Sequence, residues 1–272
     1  MFVSRTASRA IPTALCCALS LTAHRAAAQT LETETARLLP RHALAIGGAF
    51  ESQTGGGGDE RAVPFIVEYG ISDRVELAVE PVPYTAIFPE GGVRARGVGD
   101  LEGTLSVRLR NESISVPAIA FAAEVKVPTA KNALIGTGRA DYTGWAIASK
   151  QFGRFDTHAN VAYTLTGSPR GPKLNNPWTG ALAGVYRPNA AYELFAETMA
   201  TTAATSAEGG DGVVTPVTGM TPVIPPEAAG ALLFGSVGAG RYVLPQFLLF
   251  GSVSYDNTGA TLLRVGMTLR VN

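Results

Sequence analysis

Residues 97–110, GVGDLEGTLSVRLR, alternate between two kinds of side chain. Leu101, Gly103, Leu105, Val107 and Leu109 share one parity, while Asp100, Glu102, Thr104, Ser106, Arg108 and Arg110 share the other. Successive side chains of a strand point to opposite faces, so a period of two predicts a strand. The pattern recurs about every 20 residues. Leu44, Ile46 and Phe50 fall together, as do Val63, Phe65, Val67 and Tyr69. Val75, Leu77 and Val79 oppose Glu76 and Glu80; Ile119, Phe121, Ala123, Val125 and Val127 oppose Glu124 and Lys126. Phe155, Ala159, Val161, Tyr163 and Leu165 oppose Asp156, His158, Asn160 and Thr164. Near the C-terminus Leu263, Val265, Met267, Leu269 and Val271 oppose Arg264, Thr268, Arg270 and Asn272. Weaker strands at 140–150, 178–187, 191–200, 229–241 and 247–256 bring the expected number to 12. In DYTGWAIASK the phase is mixed, because Trp145 and Ile147 share the parity of Asp141.

The connections alternate in length. Long ones cover 52–61, 85–98, 128–139, 168–177 and 201–228, with the shorter DNTG as a sixth. Short ones are GISDR at 70–74, NES at 111–113, QFGR at 151–154, RPN at 187–189 and the stretch around Tyr242–Gln246. An up-and-down barrel with an even strand number collects all short turns at one end and all long loops at the other, as outer-membrane barrels do. A Greek-key sandwich has no reason to keep this alternation. Aromatic residues cluster at both ends: Tyr69, Phe155, Tyr186, Tyr192 and Phe247 by the short turns, and Phe50, Tyr84, Tyr142, Trp178 and Tyr255 by the long loops. Two girdles at the two membrane interfaces produce such a distribution. The expected fold is therefore an all-β, transmembrane, up-and-down antiparallel barrel of about 12 strands.

In that fold the row Leu101 to Leu109 faces lipid and the charged parity faces the barrel interior. The candidate lumen-lining residues are Glu76, Glu80, Asp100, Glu102, Arg108, Glu124, Lys126, Asp156, His158, Asn160, Arg264 and Arg270. In a dry core so many ions would each cost several kcal/mol unless paired. A wet lumen removes most of that cost. The carboxylates have a structural reading, pairing with Arg108, Lys126, Arg264 and Arg270, and a functional one, a weakly cation-preferring constriction.

The first 28 residues read as an export signal. Arg5 and Arg9 precede the apolar run Ile11–Ala23, and Ala26-Ala27-Ala28 fits a cleavage site before Gln29. Residues 29–40 then form a short periplasmic segment, too short for a plug domain, and 41–272 form the barrel. Removing Arg5, Arg9 and Arg25 from the 22 Lys+Arg leaves 19 basic against 22 acidic residues, without the basic surplus of a nucleic-acid binder. Both cysteines, Cys16 and Cys17, leave with the signal, so no disulfide supports the mature chain. No later stretch is long and apolar enough for a membrane helix.

EYGISDRVEL, GVGDLEGTLSVRL, AIAFAAEVKVPTA and GTGRADYTGWAIASKQFGRFDTHANVAYTLTG, within residues 62–167, resemble the bacterial family described as involved in the meta-pathway of phenol degradation. The shared marks are the turn before DRVEL, the GxGD strand opening, the EVKVPT strand exit and the ASKQFG turn. The resemblance implies an outer-membrane transporter of a Gram-negative cell that passes small compounds, hydrophobic or aromatic ones among them. Such barrels usually end on an aromatic residue read by the barrel-assembly machinery, whereas this sequence ends LRVN.

Other motifs add little. GVGDLE lacks the third glycine and the following helix of a dinucleotide fingerprint, and TGGGG at 54–58 lacks the Lys-Ser/Thr of a phosphate loop. NES is a chance sequon on a short turn. Asp156, His158 and Asn160 share one strand face, which raises a barrel-embedded lipid hydrolase as an alternative, but no serine stands beside His158 on that strand. With two histidines and no cysteine after the signal, a transition-metal site has no support.

The reading is a non-enzymatic outer-membrane channel for passive passage of small molecules, without cofactor or nucleic-acid partner. Its expected partners are outer-membrane lipids, the assembly machinery and the permeant; oligomeric state is left open. About 12 strands predicts a narrow or gated pore, and the loop 201–228 is long enough to fold inward. The alternatives are the hydrolase, a non-transporting structural barrel and a soluble periplasmic ligand-binding β-protein.

Overall fold

The computed structural model of the protein describes residues 30–55, 57–168, 174–203 and 231–271. The expected signal at 1–28 and nearly all of the loop at 201–228 lie outside the described residues. Fifteen strands form one antiparallel sheet: β1 (Leu44–Thr54), β2 (Gly58–Val63), β3 (Phe65–Ser72), β4 (Val75–Glu80), β5 (Tyr84–Pro89), β6 (Ala95–Gly97), β7 (Leu101–Arg110), β8 (Ala118–Val127), β9 (Asp141–Phe152), β10 (Phe155–Leu165), β11 (Trp178–Tyr186), β12 (Tyr192–Thr201), β13 (Leu232–Leu244), β14 (Phe247–Asp256) and β15 (Thr261–Val271).

Twelve of them close a barrel. β1, β3, β4 and β7 through β15 pair in that order, and β15 returns to β1 in a continuous register from Leu44↔Val271 to Thr54↔Thr261. Closure removes every sheet edge along this wall, as a strand wall in hydrocarbon requires. No helix among the described residues is long and apolar enough to cross a membrane.

The two faces separate as the period predicts. On β7, Glu102, Thr104 and Ser106 are buried while Leu105 and Leu109 are exposed. On β15, Leu262, Arg264 and Thr268 are buried and Leu263, Val265, Met267 and Leu269 exposed. Phe155 stacks on Tyr186 with ring centroids 4.6 Å apart at the short-turn end, and Tyr163 lies 4.8 Å from Trp178 near the other end.

Strands β2, β5 and β6 fall mostly in the two stretches expected as the first long loops, 52–61 and 85–98, and Val63, expected in one strand with Phe65, belongs to β2 instead. β3 and β4 have only eight and six residues, below the 9–11 of a spanning strand. Proline ends each of them, since it lacks the N–H that a central ladder needs. Pro64 separates β2 from β3, and Pro81 and Pro83 separate β4 from β5, so the flanking pieces β2 and β5 pair with each other above the wall. β2 pairs with the upper part of β1, β5 with β2, and β6 with β5, so a ledge continues the wall on the long-loop side. Its inner face buries Ala62, Thr85, Ile87 and Ala95, and Ile135 packs on Ile87 and Ala95.

Candidate functional site

The lumen contains peptide. The stretch expected to be a periplasmic segment, 29–40, is placed differently: its described residues, from Thr30 onward, run inside the barrel against inward-facing side chains. Leu39 N–H donates to Glu76 (2.5 Å), Ala36 N–H to Ser149 Oγ (2.8 Å), and Thr33 N–H and Oγ1 to the Glu197 carboxylate (3.1 and 3.0 Å). With its amide oriented as its neighbours require, Asn160 accepts from Glu34 N–H (2.9 Å) and donates to Glu34 C=O (3.1 Å). The wall thus satisfies a backbone that has no strand partner, as buried peptide groups demand.

Apolar contacts alternate with these polar ones. Leu31 packs among Ala49, Ala183, Val185, Phe195 and Phe250. Ala36, fully buried, sits among Ala118, Ala120, Ala122, Trp145, Ile147 and Ala162. Leu39 packs on Ala43 and Ala45. Burying each leucine side chain contributes about 1.5–3 kcal/mol, enough to hold a short segment that forms no secondary structure of its own. The mixed phase of DYTGWAIASK is explained here: Trp145 and Ile147 point inward because the lumen at that level is filled by Ala36, not water.

Ionic contacts fix the segment at both ends. Arg37 bonds Glu112 (2.6 Å) and Asp156 at the short-turn end. Glu112 also accepts from Gln151 N–H and pairs with Lys150 at 3.2 Å. Farther along, Arg264 bonds Glu51 (2.6 Å) and Glu32. Back at the short-turn end Arg187 shares Asp156 with Arg37, at 3.6 Å, and lies 3.2 Å from Glu193.

The residues expected to line the lumen fall into three groups. Glu76, Asp156, His158, Asn160 and Arg264 meet the inserted segment directly or through a shared partner. Glu80, Asp100, Glu102, Glu124 and Lys126 lie along the wall of β4, β7 and β8. There Lys126 pairs with Asp141 (2.6 Å) and Asp100 (3.7 Å), Trp145 Nε1–H donates to Glu124 (3.1 Å), and Glu80 stands opposite Glu102. Arg108 and Arg270 sit at the short-turn rim, where Arg108 donates to the carbonyl of Asp73 in the β3–β4 turn. Arg108 therefore caps a turn, and neither Glu102 nor Glu124 is bonded to it in an ion pair among the described residues.

Sequence reading missed Arg37, Glu51, Ser149, Glu193 and Glu197. Their signal was present as inward-parity bulk: Trp145, Ile147, Val185, Phe195 and Phe250 have no place in a purely aqueous lumen. Ser149 stands across from His158 on the neighbouring strand, with Oγ 2.9 Å from Nδ1. The far side of the ring, Nε2, is 3.8 Å from Asp156, beyond hydrogen-bond reach, and Ser149 Oγ already holds the Ala36 amide. The trio anchors the segment. No group of three or more potential metal ligands occurs among the described residues.

No family model matches the chain, and no curated protein does. Solved barrels do match. An outer-membrane channel from Pseudomonas putida F1 superimposes with a TM-score of 0.65 at 14% identity, covering 89% of this chain and all of that one. The NanC porin gives 0.54 at 10% identity, over 83% of this chain and 98% of its own. The KdgM porin, in a structure with disordered oligogalacturonate, gives 0.53 at 10% identity with the same coverages. At these identities the likeness establishes the fold, a closed outer-membrane-type barrel of 12 strands.

Proposed function

We propose that the protein is an outer-membrane channel for passive passage of small molecules, narrowed by its own amino-terminal segment. The observation that carries the reading is the closed wall with a continuous apolar exterior and a charged interior, into which residues 30–39 insert, held by side-chain contacts and not by a sheet ladder. An enclosed polar lumen has no structural purpose that an apolar core would not serve better. The similarity to channel and porin barrels supports the same reading.

The permeant class follows from the lining. Glu68, Glu76, Glu80, Glu102 and Glu124 all stand on one side of the lumen, on β3, β4, β7 and β8, facing Glu34 of the inserted segment. These carboxyl groups offer a polyanion no counter-charge, so acidic oligosaccharides are poor permeants and neutral or cationic compounds better ones. The resemblance to the phenol meta-pathway family extends the proposal to small aromatic or hydrophobic compounds. Outer-membrane lipids and the barrel-assembly machinery are its proposed partners.

A hydrolase in the lumen is disfavoured by the Ser149 and His158 geometry given above. The test is conductance in planar bilayers of the full mature chain beside a variant lacking residues 30–39. We expect small, steady conductance from the first and a several-fold larger one from the second. Heat-modifiable, folded barrels that conduct in neither form would overturn the reading.

A further inference from the structure

The ledge built by β2, β5 and β6 carries a feature that passage through the lumen does not use. Its inner face is set by Glu60, Ala62, Thr85, Ile87 and Ala95, all buried. The outer face continues the lipid-facing row of β1, because Arg61 pairs in register with Ser52, two residues along from the exposed Phe50. Arg61 and Arg96 are both register partners of Ala86, one on each side of it. Strands lie about 4.8 Å apart, so the two arginine Cα atoms are about 10 Å from each other.

Phe88 stands on the same face. The Arg61 guanidinium lies 5.6 Å from its ring centroid, and that of Arg94 5.5 Å. Both distances are within cation–π range, so the ring fixes two arginines side by side at little entropic cost. Arg61, Arg94 and Arg96 are all exposed, and none of them forms an ion pair among the described residues. The nearby carboxylates are Asp59, opposite Phe88 in register, and Glu90 in the β5–β6 turn. Tyr84 and Phe50 border the patch below, at the level where the apolar wall ends.

Two guanidiniums held over one aromatic ring, with a third arginine across Ala86 on the same face, at the upper margin of a lipid-facing wall, match a phosphate carried by a membrane lipid. Guanidinium forks bind phosphate oxygens in pairs, and the aromatic side chains favour the boundary between headgroup and acyl chain. We propose that Arg61, Arg94 and Arg96 form a docking site for the phosphate of a phosphorylated saccharolipid in the leaflet at the long-loop rim. This rests on the membrane-channel reading, which puts that rim in the outer leaflet.

Binding of diphosphoryl lipid A to the full mature protein in detergent micelles, compared with its dephosphorylated form, tests the site. The native protein should bind the phosphorylated lipid at least tenfold more tightly, and R61Q/R94Q/R96Q should lose that preference. R94Q alone, in the turn before β6, should lose several-fold and serves if the triple variant misfolds. Equal affinity for the two lipids, or an unchanged preference in a folded variant, overturns the proposal. Full competition by inorganic phosphate at equal concentration would also overturn it, as the mark of a free-anion site. Conductance of the same preparation keeps the two ideas apart: a conducting protein indifferent to the lipid phosphate loses this inference only, whereas a folded protein that does not conduct loses the channel reading.

Discussion

Arg264 on β15 and Glu51 on β1 face each other across the seam that closes the barrel, with Nε 2.6 Å from Oε1. The same guanidinium holds Glu32 of the inserted segment. Wall closure and lumen occupancy therefore share one side chain, and burial raises the strength of both contacts by removing competing water.

R264Q should weaken both. Removing one partner of a buried ion pair costs about 3–5 kcal/mol, because the carboxylate left behind has no counter-charge. The unboiled protein should lose its compact electrophoretic form at a lower temperature than the parent. Its conductance before unfolding should rise as the segment loosens. An unchanged transition with unchanged conductance would show that Glu51 and Glu32 find other partners.

Ala36 sits fully buried in a socket of small residues closed by Trp145 and Ile147. A36W cannot fit there without moving the wall, and overpacking typically costs about 1–3 kcal/mol. Displacing the unstructured segment is easier than distorting the strands. We expect a folded barrel with greater conductance and an amino-terminal segment newly cleaved by added protease.

Gly70 of β3 lies where the chain leaves the lumen and turns into β1. A Cβ there would come 2.0 Å from the carbonyl oxygen of Pro40. His42, in the left-handed region with φ 64°, donates its N–H to Gly70 C=O at 2.7 Å, and Gly70 N–H donates to Ala43 C=O at 3.0 Å. G70A must push Pro40 away and break this pair of bonds. The expected result is a lower thermal transition and loss of protease protection at 38–42, with β7 to β15 unaffected in hydrogen exchange.

The Glu34 carboxyl is pushed up to about 8, by burial first and then by Glu80, Glu76 and Glu32. An acid whose value is raised when the segment is seated binds its proton more tightly there. The seated state is therefore favoured fully below the ordinary carboxyl range near 4.5 and loses that advantage as pH rises through about 8. Glu112 does not titrate in this window: although burial pushes it up, the Gln151 amide, Arg37 and Lys150 hold it below the usual range. Conductance should grow between about pH 5 and pH 8, and E34Q should flatten the rise. A rise that survives E34Q would assign it to another group.

The sequence by itself determined the wall. Alternation along β7, β10 and β15 is a local property of each strand, and the alternation of short and long connections orders neighbouring strands without knowledge of distant ones. Even the two aromatic girdles follow from strand ends. What only the tertiary structure decided was what fills the lumen and what continues the wall. Residues 30–39 have no periodicity of their own, and their place depends on Asn160, Ser149, Glu197 and Arg264, which are brought together only when β15 closes on β1. The ledge likewise depends on β2, cut off from β3 by Pro64, pairing with the upper part of β1. Period reports which way a side chain points; it carries no information on whether water, lipid or another part of the chain meets it there.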